Sequence, residues 1–66
     1  MNITVNGKSM EIADGVSVDG LLAHLGVKRE HTAVAVNRDV TPKSAYAATL
    51  LADGDRVEIV RPMGGG

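Results

Sequence analysis

Cysteine is absent from this 66-residue chain, which excludes disulfide staples, cysteine-ligated zinc and a thiolate nucleophile. Aromatic residues are nearly absent too, since Tyr46 is the only one. Stacking on single-stranded bases needs more than one ring, so that mode of nucleic-acid binding is excluded. No charge of one sign prevails. The 7 Lys and Arg residues are balanced by 8 Asp and Glu residues, for a formal net charge of −1, whereas a nucleic-acid binder carries a basic stripe. No apolar run approaches the ~20 residues of a membrane span, and no signal-peptide pattern opens the chain. The expectation is a soluble cytoplasmic protein with neither nucleic acid nor membrane among its partners. What is left is aliphatic: the fold must rest on Val, Leu, Ile, Ala and Met. A single domain of this size buries only about 60% of the surface its unfolded chain exposes, so its stability is marginal.

Local signals divide the chain cleanly. Met1-Asn2-Ile3-Thr4-Val5 alternates apolar and polar residues, the period of a half-buried strand. Asn6-Gly7 follows, a pair that tolerates the positive φ of a two-residue hairpin turn, and Lys8 to Ile12 alternates again as the returning strand. Asp14-Gly15 breaks the pattern. Ser17 is a good N-cap, although Gly20 stands where a capping box would place Glu or Gln. Val18, Leu21, Leu22 and Leu25 recur at the spacing of one helical face, and Gly26 supplies the left-handed stop. Two turns of helix cannot persist alone in water, so these leucines must pack on a sheet.

The second half is less regular. Thr32 to Asn37 reads as a short, largely apolar strand. Val40 to Leu51 reads as irregular, with Thr41-Pro42 suited to cap and open one helical turn near Lys43 to Ala47. Asp53-Gly54-Asp55 is a turn. Arg56 to Arg61 forms the last strand, and Pro62 ends its pairing. Strand, strand, helix, strand, loop, strand is the order of the β-grasp, or ubiquitin-like, α+β fold: a mixed sheet of four to five strands with one helix across one face. In that fold the first and last strands form a parallel central pair, and the same pairing is inferred here from element order together with the rule that a crossover packs its helix back onto one sheet face. Residues 1–61 would form the domain and residues 62–66 a flexible tail.

Chemistry is concentrated in that tail. Met63-Gly64-Gly65-Gly66 offers almost no side chain, and ordering five residues would take contacts of about 5–10 kcal/mol, comparable to the stability of a whole small domain. A mobile tail of five residues reaches ~17 Å when extended, and glycine lets it thread a narrow channel because it has no Cβ. The carboxylate of Gly66 is a poor electrophile until activated, most simply as an acyl-adenylate made from ATP. Sulfur that displaces AMP then leaves a C-terminal thiocarboxylate. Terminal glycines on an arbitrary chain are more often fraying or a linker remnant; directly after the last strand of a β-grasp order they are far more specific.

At this point the chain resembles the ThiS family, the sulfur carriers of thiamine biosynthesis, over nearly its whole length. The resemblance is carried by the hairpin start, Val18-Asp19-Gly20-Leu21-Leu22, Ala33-Val34-Ala35-Val36-Asn37, and Asp53-Gly54-Asp55-Arg56-Val57-Glu58-Ile59 leading to the glycines. It implies a carrier that is not itself an enzyme and binds no cofactor. A ThiF-like adenylyltransferase would use ATP to adenylate Gly66, a cysteine desulfurase would supply the sulfur, and thiazole synthase (ThiG) would accept it. Gly64 and Gly65 would thread the partner channels. The molybdopterin-synthase small subunit is the nearest alternative, a lysine-conjugating modifier another, and a plain ubiquitin-like interaction module a third.

Other residues read as structural. His24 and His31 lack a second ligand at useful spacing, so no metal site is expected. Asp53 and Asp55 lack the ligand run of a calcium loop. The terminal glycines precede no helix and cannot cradle phosphate, and Ser17 serves as a cap rather than as a partner of His24. With Val34, Val36, Val57 and Ile59 facing inward, Val60, Ala33 and Ala35 face outward. Val60, together with Met63 in the tail, is the candidate docking surface for partners, because a single-layer sheet leaves its second face uncovered.

Overall fold

The computed structural model describes residues 1–28, 30 and 32–60. The expectations placed on His31, Arg61, Pro62, Met63 and the three terminal glycines therefore lie outside the described residues. β1 (Asn2–Val5) and β2 (Lys8–Glu11) form the N-terminal hairpin. Its turn is Asn6-Gly7, with φ of 50° and 83°; asparagine tolerates this left-handed region and glycine occupies it without cost. α1 (Val18–Leu25) begins where the Ser17 hydroxyl accepts the Gly20 N–H at 3.0 Å. It ends at Gly26, whose φ of 72° lets the Val27 N–H return to the Leu22 carbonyl at 2.9 Å. Both caps fall where the sequence places them.

β3 (Ala33–Val36), β4 (Asp39–Thr41) and β5 (Arg56–Val60) complete one five-stranded sheet in the order β2-β1-β5-β3-β4. β5 lies between β1, which it meets in parallel with Thr4 opposite Arg56, and β3, which it meets antiparallel with Val36 opposite Val57. The expected parallel central pair is present. β4 is the correction: Val40 and Thr41, which read as irregular, join Asp39 in a strand paired with β3, Ala35 opposite Val40. The connecting turn is Asn37-Arg38, with φ of 52° and 72°, a hairpin turn in which arginine occupies a position that usually takes glycine. Thr41 accordingly ends a strand instead of capping a helix. Extended Pro42 leads into one tight helical turn, Lys43–Ala45.

The core lies between α1 and one face of the sheet. Val18, Leu21 and Leu22 of the helix close on Ile3, Val34 and Val57 of the strands, with Ile12 and Leu51 at the margins. The lone aromatic belongs to this core: Tyr46 is only 1% exposed and has the greatest volume among the fully buried side chains, so the interior is not purely aliphatic. Leu25 departs from expectation. It keeps the helical spacing but is 36% exposed, because it falls in the last turn, over an open groove shared with Val5, Lys8, Val27 and Ile59.

Candidate functional site

β5 is the strand that leads toward residues 61–66, and the bonds along it differ in how near they lie to that end. On one side the Asn6 N–H donates to the Val57 carbonyl at 2.9 Å. At its start, the Arg56 N–H donates to Asn37 Oδ1 at 3.0 Å and the Arg56 carbonyl accepts the Asn37 N–H at 2.7 Å. Near its end, the Ile59 N–H donates to Asn6 Oδ1 at 2.8 Å, and Asn6 Nδ2 donates to the Ile59 carbonyl at 3.2 Å. The two hairpin-turn asparagines thus grip β5 from opposite sides. Neither role was read from the sequence, where Asn6 signalled only its turn and Asn37 only the end of a strand.

The loop that feeds β5 is held by its carboxylates. Asp53 Oδ1 accepts the Asn2 N–H at 2.7 Å, while Asp55 accepts the Ala52 N–H at 2.8 Å and Asn37 Nδ2 at 3.0 Å. Both aspartates are therefore used by the turn, as expected. His24 is exposed in the last turn of α1, and the Ser17 hydroxyl is occupied by its cap bond. Among the described residues no group of three or more His, Cys, Asp or Glu side chains is arranged to hold a metal ion.

The outer face of the sheet, opposite α1, is divided in character. Cross-strand partners share a face, so Asn2, Thr4, Ser9 and Glu11 make a polar half over β1 and β2. Over β3, β4 and β5 the pairing of Ala33 with Val60, Ala35 with Glu58 and Ala35 with Val40 makes an apolar half. Val60 is 62% exposed and Val40 77%. These residues border a shallow cleft of about 140 Å³ rimmed by Glu58. The structure brings together the expected Val60, Ala33 and Ala35 and adds Val40, which the sequence reading left in a loop. Met63 and the terminal glycines lie outside the described residues.

The ThiS family model matches residues 3–66. The chain belongs to the ThiS family. The sulfur carrier protein ThiS of Escherichia coli is 30% identical over 66 residues, and the match covers all of both chains. The crystal structure of the thiamine biosynthesis protein ThiS from Geobacter metallireducens superposes with a TM-score of 0.87 at 42% identity, again over the whole of both chains. A thiazole synthase of Paramagnetospirillum magneticum is 39% identical over all 66 residues, but the chain spans only 20% of that protein's length. One of Magnetococcus marinus shows the same relation at 36% identity. A ThiS-like segment thus occurs both as a separate small protein and as a fifth of a thiazole synthase.

Proposed function

We propose that this ThiS-family protein is a sulfur carrier for thiazole formation in thiamine biosynthesis, with the Gly66 carboxylate as the atom group that carries the sulfur. The end-to-end match to E. coli ThiS is the observation that carries the reading. In the first step an oxygen of the Gly66 carboxylate attacks the α-phosphorus of ATP on a ThiF-like adenylyltransferase, and pyrophosphate leaves. In the second, the terminal sulfur of a desulfurase-derived persulfide attacks the acyl carbon and displaces AMP to give an acyl disulfide. A thiol reductant then cleaves the S–S bond, leaving the thiocarboxylate while the thiol ends in a disulfide with the former persulfide sulfur. The thiocarboxylate sulfur is a better nucleophile than a carboxylate oxygen, and thiazole synthase is the acceptor. The role of the protein is presentation, since the reacting chemistry resides in the chain end and in the partners. Gly64 and Gly65 serve as the narrow lead-in, because a Cβ there would widen the thread.

The relation to thiazole synthases supports that acceptor over the molybdopterin-type alternative. The apolar half of the outer sheet face, centred on Val60, is the docking surface in this reading, with Met63 as a further apolar contact for the partner. Apolar residues at a patch centre with a charged rim such as Glu58 match the usual anatomy of a protein interface.

The test is the intact mass of the protein isolated from its own cells, before and after incubation with its adenylyltransferase, ATP and a sulfur donor. A chain ending at Gly66 that gains the mass of one oxygen-to-sulfur exchange, localised to the C-terminal peptide, is the expected result. An unchanged mass with an enzyme that activates another ThiS protein under the same conditions would overturn the reading.

A further inference from the structure

The parallel ladder between β1 and β5 stops before β5 does. Thr4 and Asn6 supply its main-chain bonds, to the Asp55 and Val57 carbonyls, and then β1 turns away at Asn6-Gly7. The next peptide group of β5 facing that side belongs to Ile59. Strand geometry alternates the direction of these groups, so the Ile59 N–H and carbonyl point away from β3 toward a neighbour whose main chain has left. The side-chain amide of Asn6 fills the gap: Oδ1 accepts the Ile59 N–H at 2.8 Å and Nδ2 donates to its carbonyl at 3.2 Å. One primary amide here does what a strand's backbone would do, for one residue beyond the strand's end.

We infer that Asn6 is a positioning residue for the sulfur-bearing chain end, holding β5 at Ile59 so that the strand stays ordered up to the point where it leads into residue 61. This inference rests on the carrier reading above and deepens it. Asn37 is the natural comparison. It too sits in a two-residue hairpin turn at positive φ and binds β5 by side chain and backbone, but at Arg56, the end remote from the tail. A residue important only for turn geometry or sheet stability would be matched by Asn37. One that holds the C-terminal end of β5 would not.

The experiment compares Asn6→Gly, Asn6→Asp and Asn37→Gly in the full chain. Glycine keeps the left-handed turn and deletes the amide. Aspartate keeps the acceptor for the Ile59 N–H but sets a carboxylate oxygen against the Ile59 carbonyl. Kinetics of ATP–pyrophosphate exchange are measured with a ThiF-type adenylyltransferase that turns over the unaltered chain, at a temperature where every variant is folded. Losing both hydrogen bonds in Asn6→Gly, or one bond with a carboxylate oxygen set against the Ile59 carbonyl in Asn6→Asp, reduces the fraction of chains with β5 ordered to its end, so KM for both Asn6 variants rises about tenfold while kcat stays within about twofold. For Asn37→Gly the KM is unchanged. Equal KM effects at the two positions, or none at Asn6, would overturn the inference. Amide hydrogen exchange provides an arm that does not depend on any partner. The Val60 N–H, which faces β3 and does not touch Asn6, exchanges roughly tenfold faster in Asn6→Gly and at the unaltered rate in Asn37→Gly. If no adenylyltransferase accepts the unaltered chain, the carrier reading fails; equal Val60 exchange rates in the two glycine variants sink the role of Asn6 itself.

Discussion

Leu22 and Leu25 lie three residues apart on one short helix, and the helical period assigns both to the same apolar face. Their surroundings differ. Leu22 is 1% exposed in the core, whereas Leu25 is 36% exposed over an open groove. Truncation of Leu22 to alanine leaves a cavity that the sheet cannot close, at a cost of about 2–5 kcal/mol. Leu25→Ala removes contacts without enclosing a void and costs under about 1 kcal/mol. Urea unfolding of the two variants measures the difference, and equal losses would contradict this assignment of the core. At this scale the sequence reports periodicity but not where a helix runs past the edge of its sheet. It is also silent on second roles. The Asn6-Gly7 pair is fully accounted for by its turn, so nothing in the residue types indicates that the Asn6 amide also reaches a strand 53 positions away.

At the level of elements, the hairpin and the helix could be read because their determinants are local: alternation, an Asn-Gly turn, a serine cap and a glycine stop. The parallel meeting of β1 and β5 followed from element order and crossover handedness. β4 escaped because it offers little local signal. It is three residues long, its turn has arginine where glycine is usual, and its one apolar residue, Val40, faces outward. That missed strand changes the account of the outer face, since Val40 extends the Val60 patch across β3. The patch leads to a prediction that separates docking from folding. Val60→Asp puts a charge at the centre of an interface that must lose water, and it weakens binding to the adenylyltransferase or to thiazole synthase by more than about tenfold. The melting temperature hardly moves, because the side chain is already 62% exposed. Isothermal titration alongside a thermal melt reads both quantities, and an unchanged affinity for each partner removes the patch from the interface.

Taken as a whole, the described residues form one sheet with a helix packed across it, and the sequence continues from β5 into Arg61-Pro62-Met63-Gly64-Gly65-Gly66. Most of the fold could be read from the chain because the local preferences of β1, β2, α1 and β5 agree with the global arrangement, a consistency expected of sequences that fold to one state. The proposed chemistry has a different source in the sequence: it calls for no constellation of side chains gathered from distant positions, only the Gly66 carboxylate at the end of a run of glycines. In the proposed reading the folded body holds the strand that leads to that group, and its outer sheet face is where partners dock. The most direct test of this division is to convert the Gly66 carboxylate to a primary amide by ligation, leaving every other atom in place, and to measure ATP–pyrophosphate exchange with the adenylyltransferase. The account predicts exchange no higher than with the enzyme alone, together with undiminished binding through the sheet face. Exchange at the rate of the unmodified chain would contradict it.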